Sequence, residues 1–266
     1  MPYTDTGAVR LHYEISGQGA PLVLIPGWTL NVHLWDRLLP FLEPHFQVLR
    51  YDPRGAGLST SDPLLESSRL ADAEDLEGLM NETGIGSAHL VGHSKGARIA
   101  FVTAMRSPGR ALSVAGMGSA EPHPAGQSVP NFRPVAKAWV EKARQIARSQ
   151  GSEKAAEYLR SARLFGKART SPEGAGILRR ATEGYRAADL LTGVPPRSFD
   201  TDAGLGQLWM PVLYLCGEED PFLSECQYAH ERVPHSRLEI LPGCGHMAPI
   251  ERPELVAAAL LDFLAQ

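Results

Sequence analysis

The feature that most constrains this chain is a serine flanked by two glycines, the Gly-His-Ser-Lys-Gly of residues 92–96. An apolar run precedes it at residues 89–91, and residues 97–102 follow with apolar positions at helical spacing. The pattern predicts a strand, a five-residue hinge and a helix. So sharp a reversal brings the backbone on either side of Ser94 close together, and glycine leaves room for that approach.

A serine in such a hinge is a candidate nucleophile. The reversal forces Ser94 into a strained backbone conformation and places its hydroxyl over the start of the next helix. The positive end of that helix dipole favours a developing oxyanion. The alternative is a turn with no catalytic role, so a catalytic role for Ser94 needs support from other motifs in the chain.

The remaining sequence alternates between strand and helix patterns. Apolar or alternating runs predict strands at residues 10–15, 21–25, 47–52, 89–91, 112–118, 210–216 and 237–241. Helical spacing of apolar residues predicts helices at residues 32–42, 70–83, 97–102 and 253–265. This order predicts an α/β fold with a doubly wound, mostly parallel sheet, and residues 10–15 are expected at its edge.

The strand rhythm stops between residues 121 and 206, where residues 135–150 and 152–163 show helical spacing. We expect a helical cap over residues 121–206 and a core domain from residues 1–120 and 207–266. Residues 121–205 carry 14 Lys and Arg against 9 Asp and Glu, whereas the whole chain has a net charge of −4. A basic cap over an acidic core domain would attract an anionic substrate. The alternative is that the cap and the core are two solvated surfaces that differ in charge.

Six cap residues are candidates either for lining a pocket or for the core of the cap itself. They are Phe132, Trp139, Tyr158, Leu164, Phe165 and Tyr185.

The chain resembles the α/β-hydrolase family over nearly all of its length outside the cap, and two motifs are specific to that resemblance. One is the G-x-S-x-G of residues 92–96. The other is Asp-Pro-Arg-Gly-Ala-Gly-Leu-Ser at residues 52–59, which is similar to the family's D-x-R-G-x-G-x-S loop. In that loop we expect Asp52 and Arg54 to form a structural, charge-assisted pair.

The resemblance implies a catalytic triad of Ser94, Asp220 and His246. Asp220 lies in a G-x-x-D-P pattern after a predicted strand, and His246 lies in a glycine-rich loop after the last one. The chain order serine, aspartate, histidine is that of the family. His93 adjoins the nucleophile, but its side chain is expected to point away from the hydroxyl and to pack or hydrogen bond.

Three other carboxylates are alternatives for the acid of the triad. Glu218 and Glu219 adjoin the matched position, and Glu121 follows the preceding strand. The acidic face of residues 70–83 is expected to be solvated.

The resemblance also implies an oxyanion hole made by two backbone N–H groups, those of Trp28 and Lys95. Pro26-Gly27 stands where many relatives carry His-Gly. The sequence leaves the direction of the Lys95 side chain open.

The composition limits the kinds of binding partner that we expect for this chain. The charge of −4 and the pI near 6.1 give no reason to expect nucleic acid or an anionic membrane. Three cysteines do not form a disulfide framework, and their spacing is not that of a metal site. The N-terminus has no basic and apolar leader, and no run approaches 18 apolar residues, so a cytoplasmic protein is expected. The chemistry of the triad implies no cofactor and no metal.

Together these features predict a serine hydrolase that cleaves a small-molecule ester or lactone through an acyl-serine, similar to enol-lactone hydrolases. The serine argues against the haloalkane dehalogenase and epoxide hydrolase relatives, which use aspartate at this position. The same triad would also serve a carbon–carbon bond hydrolase, a thioesterase, an amidase or a lyase. A ligand receptor of the same fold is the non-enzymatic alternative.

Overall fold

The structure, a computed structural model, describes residues 2–5, 9–60, 66–121 and 132–265, with the side chains of residues 132–136 left out of the description. Phe132, one of the candidate pocket residues, therefore lies outside the described side chains.

The described chain forms one eight-stranded, mostly parallel sheet. Its strands are β1 (Tyr3–Asp5), β2 (Arg10–Ser16), β3 (Ala20–Ile25), β4 (Phe46–Tyr51), β5 (Ala88–His93), β6 (Ala111–Met117), β7 (Val212–Gly217) and β8 (Ser236–Leu241). Their order across the sheet is β1-β2-β4-β3-β5-β6-β7-β8. The pairs β1–β2 and β2–β4 are antiparallel and the others are parallel, which confirms the doubly wound α/β fold.

Helices connect the strands. Before β7 they are α1 (Leu39–Leu42), α2 (Arg69–Glu82), α3 (Lys95–Arg106), α4 (Phe132–Gln150), α5 (Ser152–Arg160), α6 (Gly166–Thr170), α7 (Pro172–Ala181), α8 (Ala188–Leu191) and α9 (Thr201–Gly204). After β7 they are α10 (Leu223–Arg232), α11 (Ala248–Glu251) and α12 (Pro253–Leu264). Residues 32–42 form a short 3₁₀ turn, Val32–Trp35, followed by α1, instead of one continuous helix.

The apolar core lies on both faces of the sheet. Leu22 and Leu24 of β3 belong to the cluster that includes Leu260 of α12. Val23 and Ile25, which alternate with them, belong to the cluster beneath α2 and α3. A strand that is buried on both faces reads as a continuous apolar run, and this explains why residues 21–25 predict a central strand correctly.

The edge of the sheet differs from the prediction. Residues 10–15 were expected at the edge, but β1 pairs with β2 through Tyr3 and His12, so β2 lies one position inside. The prediction was wrong because β1 has only three residues. A strand of that length is too short to show an alternation.

Between β6 and β7, the described residues form helices α4 to α9. Helices α4 and α5 share a small buried cluster of alanines with Leu159, Tyr185 and Leu190. Gly204 of α9 packs on α3 instead, where an added Cβ would lie 2.9 Å from Met105 Sδ. The cap boundaries at residues 121 and 206 stay a prediction, since residues 122–131 lie outside the described chain.

Among the described residues, none of the helices combines the length and apolar character needed to span a bilayer.

Candidate active site

Ser94 lies in the sharp turn between β5 and α3. Its backbone has φ 53° and ψ −117°, a strained conformation for a residue with a side chain. An added Cβ on Gly92 would lie 2.2 Å from the Gly96 carbonyl oxygen, and one on Gly96 would lie 2.1 Å from that of Ile25. The two glycines are therefore required by the close approach of three backbone segments.

Asp220 and His246 meet at the carboxyl end of the sheet. Asp220 follows β7 and His246 follows β8, so adjacent parallel strands deliver both side chains to one edge. His246 Nδ1 and Asp220 Oδ2 are 2.9 Å apart, and both side chains are almost fully buried. Because a carboxylate accepts this hydrogen bond, Nδ1 carries the proton and Nε2 is left as a base.

The other three candidate acids lie elsewhere. Glu218 accepts a hydrogen bond from the Gly243 amide, Glu219 pairs with Lys167, and Glu121 pairs with an arginine of α2. Within the described residues, Asp220 is the carboxylate that His246 binds.

One cavity contains both Ser94 and His246. It measures about 30 Å³. The residues that line it are Trp28, Thr29, Leu30, His93, Ser94, Trp139, Leu164, Phe165, His246 and Met247. Three of the candidate cap residues, Trp139, Leu164 and Phe165, thus reach the site, whereas Tyr158 packs in the α4–α5 cluster.

Tyr185, a further candidate pocket residue of the cap, is not among the residues that line this cavity. Its hydroxyl donates to Asp189 Oδ1 at 2.7 Å, and Asp189 Oδ2 accepts from the Trp28 indole N–H at 2.5 Å. The nearby carboxylate and burial raise the pKa of Tyr185 well above its usual range, with burial the larger cause. The helices between β6 and β7, α4 to α9, which we call the insertion, are thereby bonded to the loop that follows β3.

That loop passes directly against the serine turn. An added Cβ on Gly27 would lie 3.2 Å from Ser94 Cβ. Trp28 follows Gly27, and Lys95 is the first residue of α3. Among the described residues, neither of these amide N–H groups has a hydrogen-bond acceptor. Trp28 thus lines the same cavity as Ser94, and Lys95 follows Ser94 in the chain, with Pro26 in place of histidine.

The Lys95 side chain turns away from the cavity toward α2. Its Nζ lies 2.7 Å from Asp72 Oδ2, and the Asp72 side chain is 2% exposed. Next to it, Arg54 Nε lies 2.7 Å from Asp75 Oδ2. Burial raises the pKa of the Asp75 carboxyl, although Arg54 opposes the shift. The prediction of a solvated acidic face on residues 70–83 was wrong, since two of its carboxylates are buried and paired.

The predicted pair between Asp52 and Arg54 was also wrong. Asp52 instead accepts hydrogen bonds from the Val32 and Leu58 amides and from His12 Nδ1, at 2.9, 2.8 and 3.0 Å. Gly57 makes this possible, because an added Cβ there would lie 2.2 Å from Asp52 Oδ2. Asp52 therefore folds its own loop onto β2, and Arg54 is free to bind α2.

His93 is hydrogen bonded, and its partner is the backbone of His246. Its Nε2 lies 2.8 Å from the His246 carbonyl oxygen and donates to it, and the two rings are 4.9 Å apart between centroids. Burial, helped by the neighbouring His246, lowers the pKa of His93 to about 3, so the ring is uncharged. The bond crosses 153 residues of sequence, and only the adjacency of His93 to Ser94 signalled it.

The comparison with known proteins decides the family. A family model for the alpha/beta hydrolase fold matches residues 20–253 of the chain. The chain belongs to the α/β-hydrolase family.

Several relatives of the chain are named as hydrolases or esterases. The chain is 26% identical to 2-hydroxy-6-oxo-6-phenylhexa-2,4-dienoate hydrolase of Burkholderia cepacia, over 96% of this chain and 91% of that one. It is similar to the structure of a thermophilic esterase from Thermogutta terrifontis, with a TM-score of 0.81, 26% identity and coverage of 98% and 95%. The enol-lactonase of Burkholderia xenovorans LB400 shares the fold, with a TM-score of 0.80, 24% identity and full coverage of both chains. Family and relatives support hydrolysis as the class of reaction.

In the described residues, no group of three or more histidine, cysteine or acidic side chains is arranged to hold a metal ion.

Proposed function

We propose that this α/β-hydrolase is a serine hydrolase that cleaves a carboxylic ester or lactone of a small molecule through an acyl-serine intermediate. One observation carries the proposal. His246, whose Nδ1 lies 2.9 Å from Oδ2 of the buried Asp220, lines the same cavity as a serine held in a strained turn.

In the first step the Ser94 hydroxyl attacks the substrate carbonyl and His246 Nε2 takes its proton. A serine hydroxyl is a weak nucleophile, and imidazole is the side chain that accepts a proton near neutral pH. Asp220 holds the ring in the required tautomer and stabilises the imidazolium that forms. The proton then passes from His246 to the leaving alkoxide, and the acyl group stays on Ser94.

The negative charge on the tetrahedral oxygen is stabilised by the amides of Trp28 and Lys95. Loss of one such donor typically raises the barrier by roughly 2.7 to 4 kcal/mol. In the second step, water gives its proton to His246 and attacks the acyl-serine. The bond between the acyl carbon and the Ser94 oxygen breaks, His246 returns the proton to that oxygen, and the carboxylic acid leaves. These steps use no cofactor or metal.

The lining of the cavity supports a substrate with an apolar group next to the reacting carbonyl. Leu30, Leu164, Phe165 and Met247 surround the site with aliphatic and aromatic surface. The similarity to an esterase, and in fold to an enol-lactonase, supports an ester or lactone.

Carbon–carbon bond hydrolysis by the same triad is a second candidate. It is favoured by the match to the dienoate hydrolase of B. cepacia, which extends over 96% of this chain. The compound in that name contains no ester, so its hydrolysis breaks a carbon–carbon bond.

Hydrolysis of short p-nitrophenyl esters tests the proposal. The wild-type protein should hydrolyse them, and Ser94→Ala should lower kcat by at least about 10⁴-fold, because triad members act as a unit. Ser149→Ala, at an exposed serine of α4, is the matched control and should keep full activity. Hydrolysis that survives in Ser94→Ala, or a folded wild-type protein that hydrolyses neither esters nor lactones, would contradict the proposal; turnover of dienoates alone would favour the second candidate.

A further inference from the structure

Two buried polar atoms beside the proposed nucleophile have no hydrogen-bond partner in the described chain. They are Thr29 Oγ1 and Trp139 Nε1, and both residues line the cavity of Ser94 and His246. Buried polar atoms are nearly always hydrogen bonded, because losing water without a new partner costs free energy. Two unpartnered atoms in one reactive cavity therefore point to a bound group that supplies the partner.

The backbone of Thr29 is strained. Its φ is 67°, in the left-handed region that a β-branched residue rarely adopts. The turn is closed by the Leu30 amide, which donates to the Gly27 carbonyl at 3.1 Å. Strain of this kind persists where the surroundings enforce it, and it concentrates at functional sites. It holds the Thr29 hydroxyl next to the Trp28 amide that we assign to the oxyanion hole.

Trp139 reaches the cavity from α4 of the insertion. Its ring meets the Trp28 ring edge to face, with centroids 5.6 Å apart and planes at 89°. The two indoles differ in one respect. The Trp28 N–H is bound by Asp189, whereas the Trp139 N–H is buried and unbound.

A third buried atom of the cavity residues, His93 Nδ1, also has no partner, but it is not available to a ligand. It faces Gly27, where an added Cβ would lie 2.8 Å away. The rest of the lining outside Ser94 and His246 is largely apolar. Thr29 Oγ1 and Trp139 Nε1 are therefore the two unpartnered polar atoms that this lining offers to a substrate.

We propose that Thr29 Oγ1 and Trp139 Nε1 form a polar subsite for a second oxygen of the substrate, separate from the carbonyl that Ser94 attacks. An indole N–H only donates, so the substrate atom is an acceptor. A carbonyl or carboxylate oxygen has that chemistry, and the threonine hydroxyl can donate to the same group. This inference rests on the proposed function and narrows its substrates to oxo- or carboxy-substituted esters and lactones.

Matched esters test the subsite. The kcat/KM values of p-nitrophenyl 4-oxohexanoate, 5-oxohexanoate and adipate monoester are divided by that of p-nitrophenyl hexanoate, each corrected for uncatalysed hydrolysis. A second pair, 2-oxobutyl and butyl hexanoate, places the oxygen on the alcohol side. For the wild-type protein we expect at least one ratio of about tenfold or more, the size of one or two net hydrogen bonds.

Thr29→Val removes one donor with little change of shape, and Trp139→Phe removes the other while keeping an aromatic ring; each should bring that ratio toward one. Trp209→Phe, at a tryptophan that is 68% exposed, and Thr103→Val, at a buried unpartnered hydroxyl of α3 away from the cavity, should keep the wild-type ratio. Because the readout is a ratio, a general loss of activity in a variant does not affect it.

Binding to Ser94→Ala separates this inference from the proposed function. Calorimetric Kd values for the same esters should show the same preference, and Trp139→Phe in that background should reduce it. If the wild-type protein turns over no ester but this binding preference is present, the subsite stands and the esterase proposal falls. Equal binding and equal turnover of all esters, or a preference that both variants keep, would overturn the subsite and leave the two atoms with bound water only.

Discussion

His93, next to the proposed nucleophile Ser94, also contacts the proposed base, His246. Its Nε2–H bonds the backbone of His246, while Asp220 bonds the ring of the same residue. The loop after β8 is therefore held at two points, one on each side of the imidazole. Since the pKa of His93 is lowered to about 3, mainly by burial, this donor keeps its form over the whole physiological pH range.

The buried, uncharged state of His93 predicts a pH dependence of stability. Its pKa is about 3 in the folded protein against an ordinary value of 6.5. Between these values the unfolded chain binds more protons, so the free energy of unfolding rises with pH, by up to about 1.4 kcal/mol per pH unit. The contribution is fully present above about pH 6.5 and is lost as the pH falls toward about 3.

Urea unfolding at several pH values between about 4 and 6.5 measures this slope. His93→Gln keeps an N–H donor but does not titrate, and it should flatten the slope by nearly one proton. The exposed His235→Gln should leave it unchanged. An identical slope in wild type and His93→Gln would show that His93 is not held uncharged.

At the scale of elements, α2 and α3 are joined by charge as well as by apolar packing. Asp72 of α2 is buried and pairs with Lys95, the residue whose amide we assign to the oxyanion hole. Arg54, from the loop after β4, binds Asp75 on the same helix. The start of α3 is thereby tied to α2, and α2 is in turn tied to the loop after β4.

Replacing one partner of the α2–α3 pair should leave a charge near the core. Asp72→Asn should lower the free energy of unfolding by about 2 kcal/mol, less than the roughly 3–5 kcal/mol of a fully buried pair because Lys95 is 26% exposed. The measurement is a double-mutant cycle with Lys95→Met by urea unfolding. If the two substitutions simply add, the pair does not couple the helices.

At the scale of the whole molecule, some basic residues of the insertion pair with acidic residues of the rest of the chain. Arg197 pairs with Glu66 and Glu74 of the α2 region, and Lys167 pairs with Glu219 beside Asp220. Lys167 Nζ also donates to the Gly243 carbonyl in the loop that leads to His246. At least part of the charge asymmetry seen in the sequence is thus used in contacts that hold the insertion on the sheet.

These surface contacts predict a salt-dependent stability. Arg197→Ala should lower Tm slightly at low ionic strength, and the difference should shrink near 1 M salt, where charges are screened beyond about 3 Å. Arg148→Ala is the control, since Arg148 makes no ion pair among the described residues. A loss of Tm that is the same at both ionic strengths would mean that Arg197 acts through packing.

The sequence could predict those features that are encoded by residues close to one another in the chain. The serine turn, the strand that carries it and the Asp220 and His246 loops are encoded in short contiguous motifs, and the structure places them together. The distant partners of Asp52, on β2 and in the turn after β3, and the partners of Arg54 and His93 lie on other elements, and no local pattern identifies them. The Trp28–Asp189 bond spans 161 residues and depends on how the insertion docks, which hydrophobic spacing does not specify.

The most direct test of the account is the site of covalent labelling by an aryl phosphonate, located by mass spectrometry of the digested protein. The central claim is that Ser94 is a nucleophile activated by His246 and Asp220. It predicts one adduct, on the peptide that contains Ser94, formed far more slowly in Asp220→Asn and absent in Ser94→Ala. An unlabelled Ser94 in the folded wild-type protein, or an adduct on another residue that persists in Ser94→Ala, would contradict it.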